Sequence, residues 1–143
     1  MNLSGKKNNM KIVYAYVVAD VLHEGHILHL ENSKSLGDKL IVGVLTDEAV
    51  MEKKPHPIIS FEERINLIKS LRCVDAAVPQ TQYSPIENVR AIKPDILMES
   101  TSHTEEDLTE TYKVAEELGI RVVRMPYYPK QSSTQIKNKI KEK

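Results

Sequence analysis

The chain has 143 residues, and its 20 Lys and Arg balance its 20 Asp and Glu, so the formal net charge is zero. This balance argues against a general nucleic-acid or membrane partner, and any anionic ligand has to be met by a local site. The single cysteine, Cys73, excludes an internal disulfide and a cysteine-based zinc site. With no signal peptide and no apolar run near the ~20 residues of a membrane span, we expect a soluble cytoplasmic protein.

The chain begins with nine polar, aperiodic residues and then alternates between apolar strands and amphipathic helices. We expect residues 1–9 to form a disordered leader and residues 10–143 a single domain. The predicted strands cover 11–18, 39–46, 74–78, 95–99 and 121–126. The predicted helices cover 27–37, 61–71, 84–92 and 105–119, with a last helix opening at 132. Residues 47–59 are expected to be irregular.

Three local signals support the helix boundaries. Ser60, with Glu63 three residues later, forms a capping box for the second helix. Pro85 occupies a first helical position, where its missing N–H has no cost. Gly37 is expected to end the first helix.

Five strands, each followed by a helix, predict an α/β fold. We expect a Rossmann-like three-layer sandwich with a five-stranded, mostly parallel sheet and helices on both faces. In such folds ligands bind beyond the carboxyl ends of the strands, near the point where the strand order reverses. The quartet HEGH at 23–26 follows the first strand, and its position therefore favours a ligand-binding role.

The quartet HEGH has three possible interpretations. Zinc ligation is disfavoured because HExxH is absent, and adding His29 gives a series that swings about 120° around a helix. A polar helix start at the surface is the plainest alternative. Phosphate binding is favoured by Gly25, which opens the backbone N–H groups of a helix N-terminus, and by two imidazoles that can each donate a hydrogen bond. His23 and His26 would then stabilise a developing oxyanion.

The wider sequence resembles a known family. Residues 18–50, VADVLHEGHILHLENSKSLGDKLIVGVLTDEAV, are similar to the opening of the cytidylyltransferase-like nucleotidyltransferases: an HxGH quartet after the first strand, a helix, a Leu-Gly-Asp turn, a second strand and Thr-Asp. Residues 53–79 resemble the family's lysine-bearing loop, Glu-Arg helix and Val-Asp strand. The family's Ser/Thr-rich turn appears as SSTQIK at 132–137. Two separate motifs in the right order make the resemblance specific.

The resemblance implies an enzyme in which an anionic acceptor attacks the α-phosphorus of a nucleoside triphosphate and pyrophosphate leaves. It favours CTP, Mg²⁺ as the counterion, and a small phosphorylated alcohol or phosphonate as the acceptor, of the glycerol 3-phosphate or 2-hydroxyethylphosphonate type. It also implies a homodimer. An adenylyltransferase of the FAD synthetase type and a non-catalytic nucleotide sensor remain as alternatives.

The resemblance also assigns residues by position. His23 and His26 would donate to the α-phosphate, Lys53 or Lys54 would bridge it to the acceptor, and Arg64 would meet the acceptor's anionic group. The nucleotide would be bound by Val17, Val18, Ala19, Asp20, Gly25, Ser132, Ser133 and Thr134, the last three holding the β- and γ-phosphates. Asp20 could also assist a magnesium ion.

Each assignment has a structural alternative. The lysines would ordinarily be solvated loop charges, Arg64 could pair with Glu62 or Glu63, and Asp20 could be a turn residue. The chain also departs from the CTP-using members: VVAD at 17–20 replaces Gly-Thr-Phe-Asp, and ESTS at 99–102 replaces Gly-Asp-Asp-Trp. Because the second of these stretches helps to recognise the base, the base stays open between cytosine and adenine.

Overall fold

The computed structural model describes residues 10–100, 106 and 108–125. Its strands in this part of the chain are β1 (Ile12–Val17), β2 (Lys39–Leu45), β3 (Ala76–Gln80), β4 (Ile96–Ser100) and β5 (Arg121–Met125). Its helices are α1 (Glu24–Lys34), α2 (Asp47–Met51), α3 (Phe61–Lys69), α4 (Ile86–Ile92) and α5 (Thr109–Leu118).

The five strands form one sheet in the order β3-β2-β1-β4-β5, and every neighbouring pair is parallel. The predicted Rossmann-like α/β fold is therefore confirmed. The chain winds outward from β1 through β2 to β3 and then returns to the other side of β1 with β4. The strand order thus reverses between β1 and β4, where folds of this type bind ligands at the carboxyl edge.

Helices cover both faces of the sheet because the strands are apolar on both sides. On one face Leu30 of α1 and Ile68 of α3 pack with sheet residues such as Val42. On the other face Val89 of α4 and Val114 of α5 pack in a separate cluster of buried residues. The short helix α2 lies at the carboxyl edge, where its buried Ala49 and Val50 contact Tyr16, Val18 and Tyr83.

A hydrogen-bonded tyrosine lies inside the second apolar layer. The Tyr14 hydroxyl is 0% exposed, donates to Gln80 Oε1 and accepts from Asn88 Nδ2. It lies directly over Gly43 on the neighbouring strand, where an added Cβ would overlap the phenol oxygen. Gly43 is therefore required by close packing rather than by a turn.

Several predicted boundaries were wrong. α1 begins at Glu24, before the predicted start at residue 27, because His23 caps it. Residues 47–51, expected to be irregular, form α2, whose first turn Thr46 caps through its hydroxyl. Gly37 follows α1 without a positive φ; it is needed because a Cβ there would lie 2.9 Å from the Lys11 carbonyl oxygen.

The predicted leader at 1–9 and the predicted helix from 132, with Ser132, Ser133 and Thr134, lie outside the described residues. Within the described ranges, no helix is long and apolar enough to cross a membrane.

Candidate active site

The two histidines of the quartet cap the first helix reciprocally. His23 is the N-cap residue of α1, with extended backbone angles of φ −145° and ψ 176°. Its Nδ1 accepts from the Gly25 N–H at 3.0 Å, and Nδ1 of His26 accepts from the His23 N–H at 3.2 Å. A capping box normally pairs a hydroxyl with a carboxylate, and here two imidazoles satisfy the same orphan N–H groups.

This cap fixes the protonation of both rings. Because each Nδ1 accepts a hydrogen bond, we infer that the ring proton lies on Nε2, which then acts as a donor. Burial lowers the pKa of His26 to about 3, aided by the neighbouring His23 and His29, and burial also lowers the pKa of His23. The two ring centroids lie 4.1 Å apart. The helix start therefore carries two adjacent neutral N–H donors.

Gly25 is predicted to leave the backbone N–H groups of the helix start open to a ligand. Its backbone N–H, expected to be open to phosphate, is already bonded to His23 Nδ1. The donors of this helix start are thus assigned to the imidazole Nε2 atoms. The small size of Gly25 still suits its buried position in the first turn.

The stretch between β1 and the quartet is held in place by internal bonds. Ala19 has a positive φ of 57°, and Asp20 is 2% exposed. The two carboxylate oxygens of Asp20 accept from the N–H groups of Ile58, at 3.0 Å, and Ile59, at 2.8 Å. Asp20 therefore fixes the end of the lysine-bearing segment, as the turn-residue alternative implies, and this geometry does not suit the predicted assistance to magnesium.

Arg64, predicted to meet the anionic group of the acceptor, is buried in the structure. Its side chain is 0% exposed. Its Nη1 donates to the carbonyl oxygens of Val18 (2.8 Å) and Leu45 (2.7 Å), at the ends of β1 and β2. Its Nε donates to the Ile59 carbonyl at 3.0 Å, and its Nη2 pairs with Asp47 Oδ1 at 2.6 Å. Arg64 pairs with Asp47 rather than with Glu62 or Glu63. Its hydrogen bonds connect the ends of β1 and β2, the start of α2 and the segment before α3.

The two predicted lysines follow α2 and differ in their surroundings. The backbone N–H groups of both donate to the Val50 carbonyl oxygen, and both residues are exposed. Lys53 Nζ lies 5.2 Å from the centroid of the Tyr83 ring, which is cation–π distance. The Glu52 carboxylate accepts from the Tyr83 N–H at 3.0 Å. The end of α2 is thereby joined to the loop that follows β3.

A cleft lies at this junction, and Lys53 belongs to its lining while Lys54 does not. The lining residues come from β1, the end of α2, the loop between β3 and α4, and the start of α5: Tyr16, Glu52, Lys53, Tyr83, Ser84, Pro85, Leu108 and Thr111. No group of three or more His, Cys, Asp or Glu among the described residues could hold a metal ion.

Residues 16–139 match the model of the family described as cytidylyltransferase-like. The chain belongs to the cytidylyltransferase-like family. The resemblance carried by HEGH and its neighbours is confirmed, and the chain is accordingly a nucleotidyltransferase.

Two curated relatives of this nucleotidyltransferase are bifunctional HldE proteins. The Helicobacter pylori (strain P12) protein is 34% identical over 136 residues, which cover 94% of this chain and 28% of the relative. The Desulfatibacillum aliphaticivorans protein is 36% identical over 133 residues, which cover 92% of this chain and 27% of the relative. The chain thus spans about a quarter of the length of the curated relatives it matches.

Two solved structures share the fold. The lipopolysaccharide core biosynthesis protein from Thermoplasma volcanium GSS1 is 33% identical with a TM-score of 0.75, and the match covers 85% of this chain and 100% of that one. The pantoate-beta-alanine ligase from Francisella tularensis, solved with β,γ-ATP and β-alanine, is 16% identical with a TM-score of 0.62. The match covers 96% of this chain and 72% of that one, and at this identity it shows only that the fold is shared.

Sequence reasoning missed several residues of the candidate site. Asp47 could have been found, since Thr46 followed by Asp47 and Glu48 is the pattern of a capped helix start. Tyr16 was part of an apolar strand, and Tyr83 lay in an unassigned loop. No local signal linked either of them to Lys53, because tertiary structure alone brings these residues together.

Proposed function

We propose that this nucleotidyltransferase transfers a nucleoside monophosphate from ATP to the phosphate group of a small phosphorylated sugar, releasing pyrophosphate. The observation that carries the proposal is the pair of neutral imidazole donors that the reciprocal cap holds at the start of α1. Further support comes from the Thermoplasma neighbour, whose name assigns it to lipopolysaccharide core biosynthesis. That core is made of sugars, and sugars are commonly activated as nucleoside diphosphate conjugates.

The proposed reaction needs little beyond alignment and charge stabilisation. An acceptor phosphate oxygen forms a bond to the α-phosphorus, while the bond from the α-phosphorus to the oxygen bridging the β-phosphate breaks. The acceptor is already an anion at neutral pH, so no side chain has to remove a proton from it. His23 and His26 donate from Nε2 to the oxygens on which negative charge increases.

Lys53 supplies the mobile cation of the proposed site. It follows α2 and lines the cleft beside Tyr83, which favours it over Lys54 as the bridge between the α-phosphate and the acceptor. Ser132, Ser133 and Thr134 are proposed to hold the β- and γ-phosphates, as the resemblance implies.

Magnesium is proposed to enter with the substrate. Asp20 is engaged by two backbone N–H groups, and the described residues provide no carboxylate cluster. A Mg²⁺ that accompanied the triphosphate would be held by phosphate and water oxygens, and it would help to neutralise the charge of the pyrophosphate.

The choice of ATP rests on the stretch at 99–102, where ESTS replaces the Gly-Asp-Asp-Trp of CTP-using members. Glu99 is 1% exposed, and both of its carboxylate oxygens accept from the Tyr16 hydroxyl at 2.7 Å. The first residue of this stretch therefore bonds to the protein itself, and the chain lacks the residues with which the CTP-using members recognise the base. CTP is the second candidate, because the quartet and the Ser/Thr-rich turn match the CTP-using members named above.

The test combines each nucleotide with each acceptor and measures the release of pyrophosphate. ATP, CTP, GTP and UTP would each be combined with a panel of sugar 1-phosphates, glycerol 3-phosphate and 2-hydroxyethylphosphonate, with a His26→Ala variant as the blank. We expect release with ATP and a sugar phosphate. Release with CTP alone would replace ATP in the proposal, and triphosphate binding with no release from any pair would favour the sensor.

A further inference from the structure

The carboxyl edge of the sheet contains a row of polar side chains on three neighbouring strands. The Tyr16 hydroxyl of β1 donates to both carboxylate oxygens of Glu99 on β4 at 2.7 Å, and Glu99 is paired in register with Arg124 on β5. Burial raises the pKa of Glu99 to about 7, although the Tyr16 hydrogen bond and the Arg124 charge lower it. Burying a carboxylate inside a sheet is costly unless its partners are held in place, so the row calls for an explanation.

Tyr16 is the member of this row that lines the cleft. The polar part of the lining combines two tyrosines, the hydroxyl-bearing residues Ser84 and Thr111, the cation of Lys53, and the Glu52 carboxylate, which accepts from the Tyr83 N–H. Aromatic faces suit the C–H surface of a sugar ring, hydroxyl groups suit its oxygens, and an ammonium group suits a phosphate. The cleft therefore has the chemistry of a sugar phosphate site.

We propose that the Tyr16 hydroxyl oxygen accepts a hydrogen bond from the sugar portion of the acceptor and that Glu99, to which this hydroxyl donates, is a positioning residue which holds the Tyr16 side chain against the cleft. The inference rests on the proposed function and deepens it by assigning the acceptor to this cleft. It also gives Glu99, which stands in a base-recognition stretch by sequence, a role on the acceptor side.

The contact and positioning roles can be separated by a double-mutant cycle. Tyr16→Phe removes the hydroxyl and keeps the ring; Glu99→Leu removes the acceptor of its hydrogen bond and keeps the volume; Glu99→Gln keeps one accepting oxygen. We expect Tyr16→Phe and Glu99→Leu each to raise the acceptor KM about 5-fold, the scale of one lost neutral hydrogen bond. The KM for the triphosphate should stay constant, and Glu99→Gln should restore most of the acceptor KM.

The decisive readout is the double variant. If Glu99 acts through Tyr16, Tyr16→Phe with Glu99→Leu raises the acceptor KM no more than either change alone. The matched control is Tyr14→Phe, which removes the buried hydroxyl of the same strand that bonds Gln80 and Asn88 and lies outside the cleft lining. It should lower stability and leave both KM values unchanged.

Different results separate this inference from the proposed function. Pyrophosphate release with an unchanged acceptor KM in Tyr16→Phe, or a raised triphosphate KM instead, overturns the inference and leaves the proposed function standing. If no pair releases pyrophosphate, thermal-shift titration of the same sugar 1-phosphates decides. Binding that weakens in Tyr16→Phe and persists in Tyr14→Phe supports the cleft assignment, whereas absence of binding to the wild type overturns it.

Discussion

The histidines of the quartet each use two ring nitrogens for two different purposes. Nδ1 accepts a backbone hydrogen bond and caps α1, and this acceptance leaves the proton on Nε2. The bond that starts the helix is therefore also the bond that prepares the donor. A substitution that retains the first function and removes the second would isolate the proposed chemistry.

His23→Asn is that substitution. Asparagine is a preferred N-cap residue, and its side-chain oxygen can accept from the Gly25 N–H in place of Nδ1. We expect the midpoint of urea unfolding to stay near that of the wild type and kcat to fall by about 10²-fold, the scale of one lost oxyanion donor. A kcat that survives this change would mean that His23 only caps the helix.

Acid should remove stability through His26. Burial lowers its pKa from 6.5 to about 3, so between these values the unfolded chain binds a proton that the folded chain does not. The His26 contribution is complete above pH 6.5 and is lost as the pH falls toward 3, by about 1.4 kcal/mol per pH unit.

Glu99 has the opposite effect on the pH dependence of stability. The contribution of His26 therefore has to be measured as a difference between two variants. Because its pKa is raised from 4.5 to about 7, its contribution to stability grows as the pH falls through that range. The predicted quantity is therefore the free energy of unfolding of the wild type minus that of His26→Asn, measured in urea at pH 7.5, 6.0 and 5.0. A difference that does not change with pH would show that His26 titrates normally in the folded protein.

At the scale of elements, two buried charged residues hold the carboxyl edge together. Arg64 of α3 reaches the ends of β1 and β2 and the start of α2, and Asp20 holds the backbone at Ile58 and Ile59. The lysine-bearing segment between α2 and α3 is thus anchored near both of its ends. Lys53 can change conformation while its chain position stays fixed.

Arg64→Leu tests this anchoring. It leaves three carbonyl oxygens, that of Leu45 buried, and Asp47 without the guanidinium, and we expect it to lower the free energy of unfolding by about 3–5 kcal/mol. The matched control is Arg90→Leu, which removes a half-exposed ion pair with Glu117 and should cost less than about 1 kcal/mol. Urea unfolding measures both. If Arg64→Leu has normal stability and a raised acceptor KM, the result would instead support the acceptor contact that the sequence predicts for Arg64.

For the whole molecule, the sequence predicts what depends on local periodicity. The apolar strands, the Ser60 cap of α3 and the order of elements were sufficient to derive the parallel sheet and its ligand-binding edge. The position of HEGH after β1 was sufficient to place the quartet at that edge. Each of these features lies within a few residues along the chain, where propensity and capping act.

The remaining features depend on contacts between distant residues. Tyr16 and Glu99 are 83 positions apart, and Arg64 reaches back 46 positions to Val18. Nothing in the local sequence distinguishes a buried arginine that bonds to carbonyl oxygens from an exposed one that awaits an anion. The sequence therefore indicated the residue types of the candidate site and did not predict the hydrogen bonds that Arg64 makes.

The contact between Tyr14 and Gly43 constrains how this sheet can change during evolution. A side chain at 43 cannot coexist with the phenol in its present position, whereas a smaller residue at 14 leaves a gap that the present glycine tolerates. Alanine at 43 therefore requires a smaller residue at 14 or a displaced phenol, and it also requires Gln80 Oε1, 2.8 Å from the added Cβ, to move. The two positions, on neighbouring strands, are thus coupled by this packing.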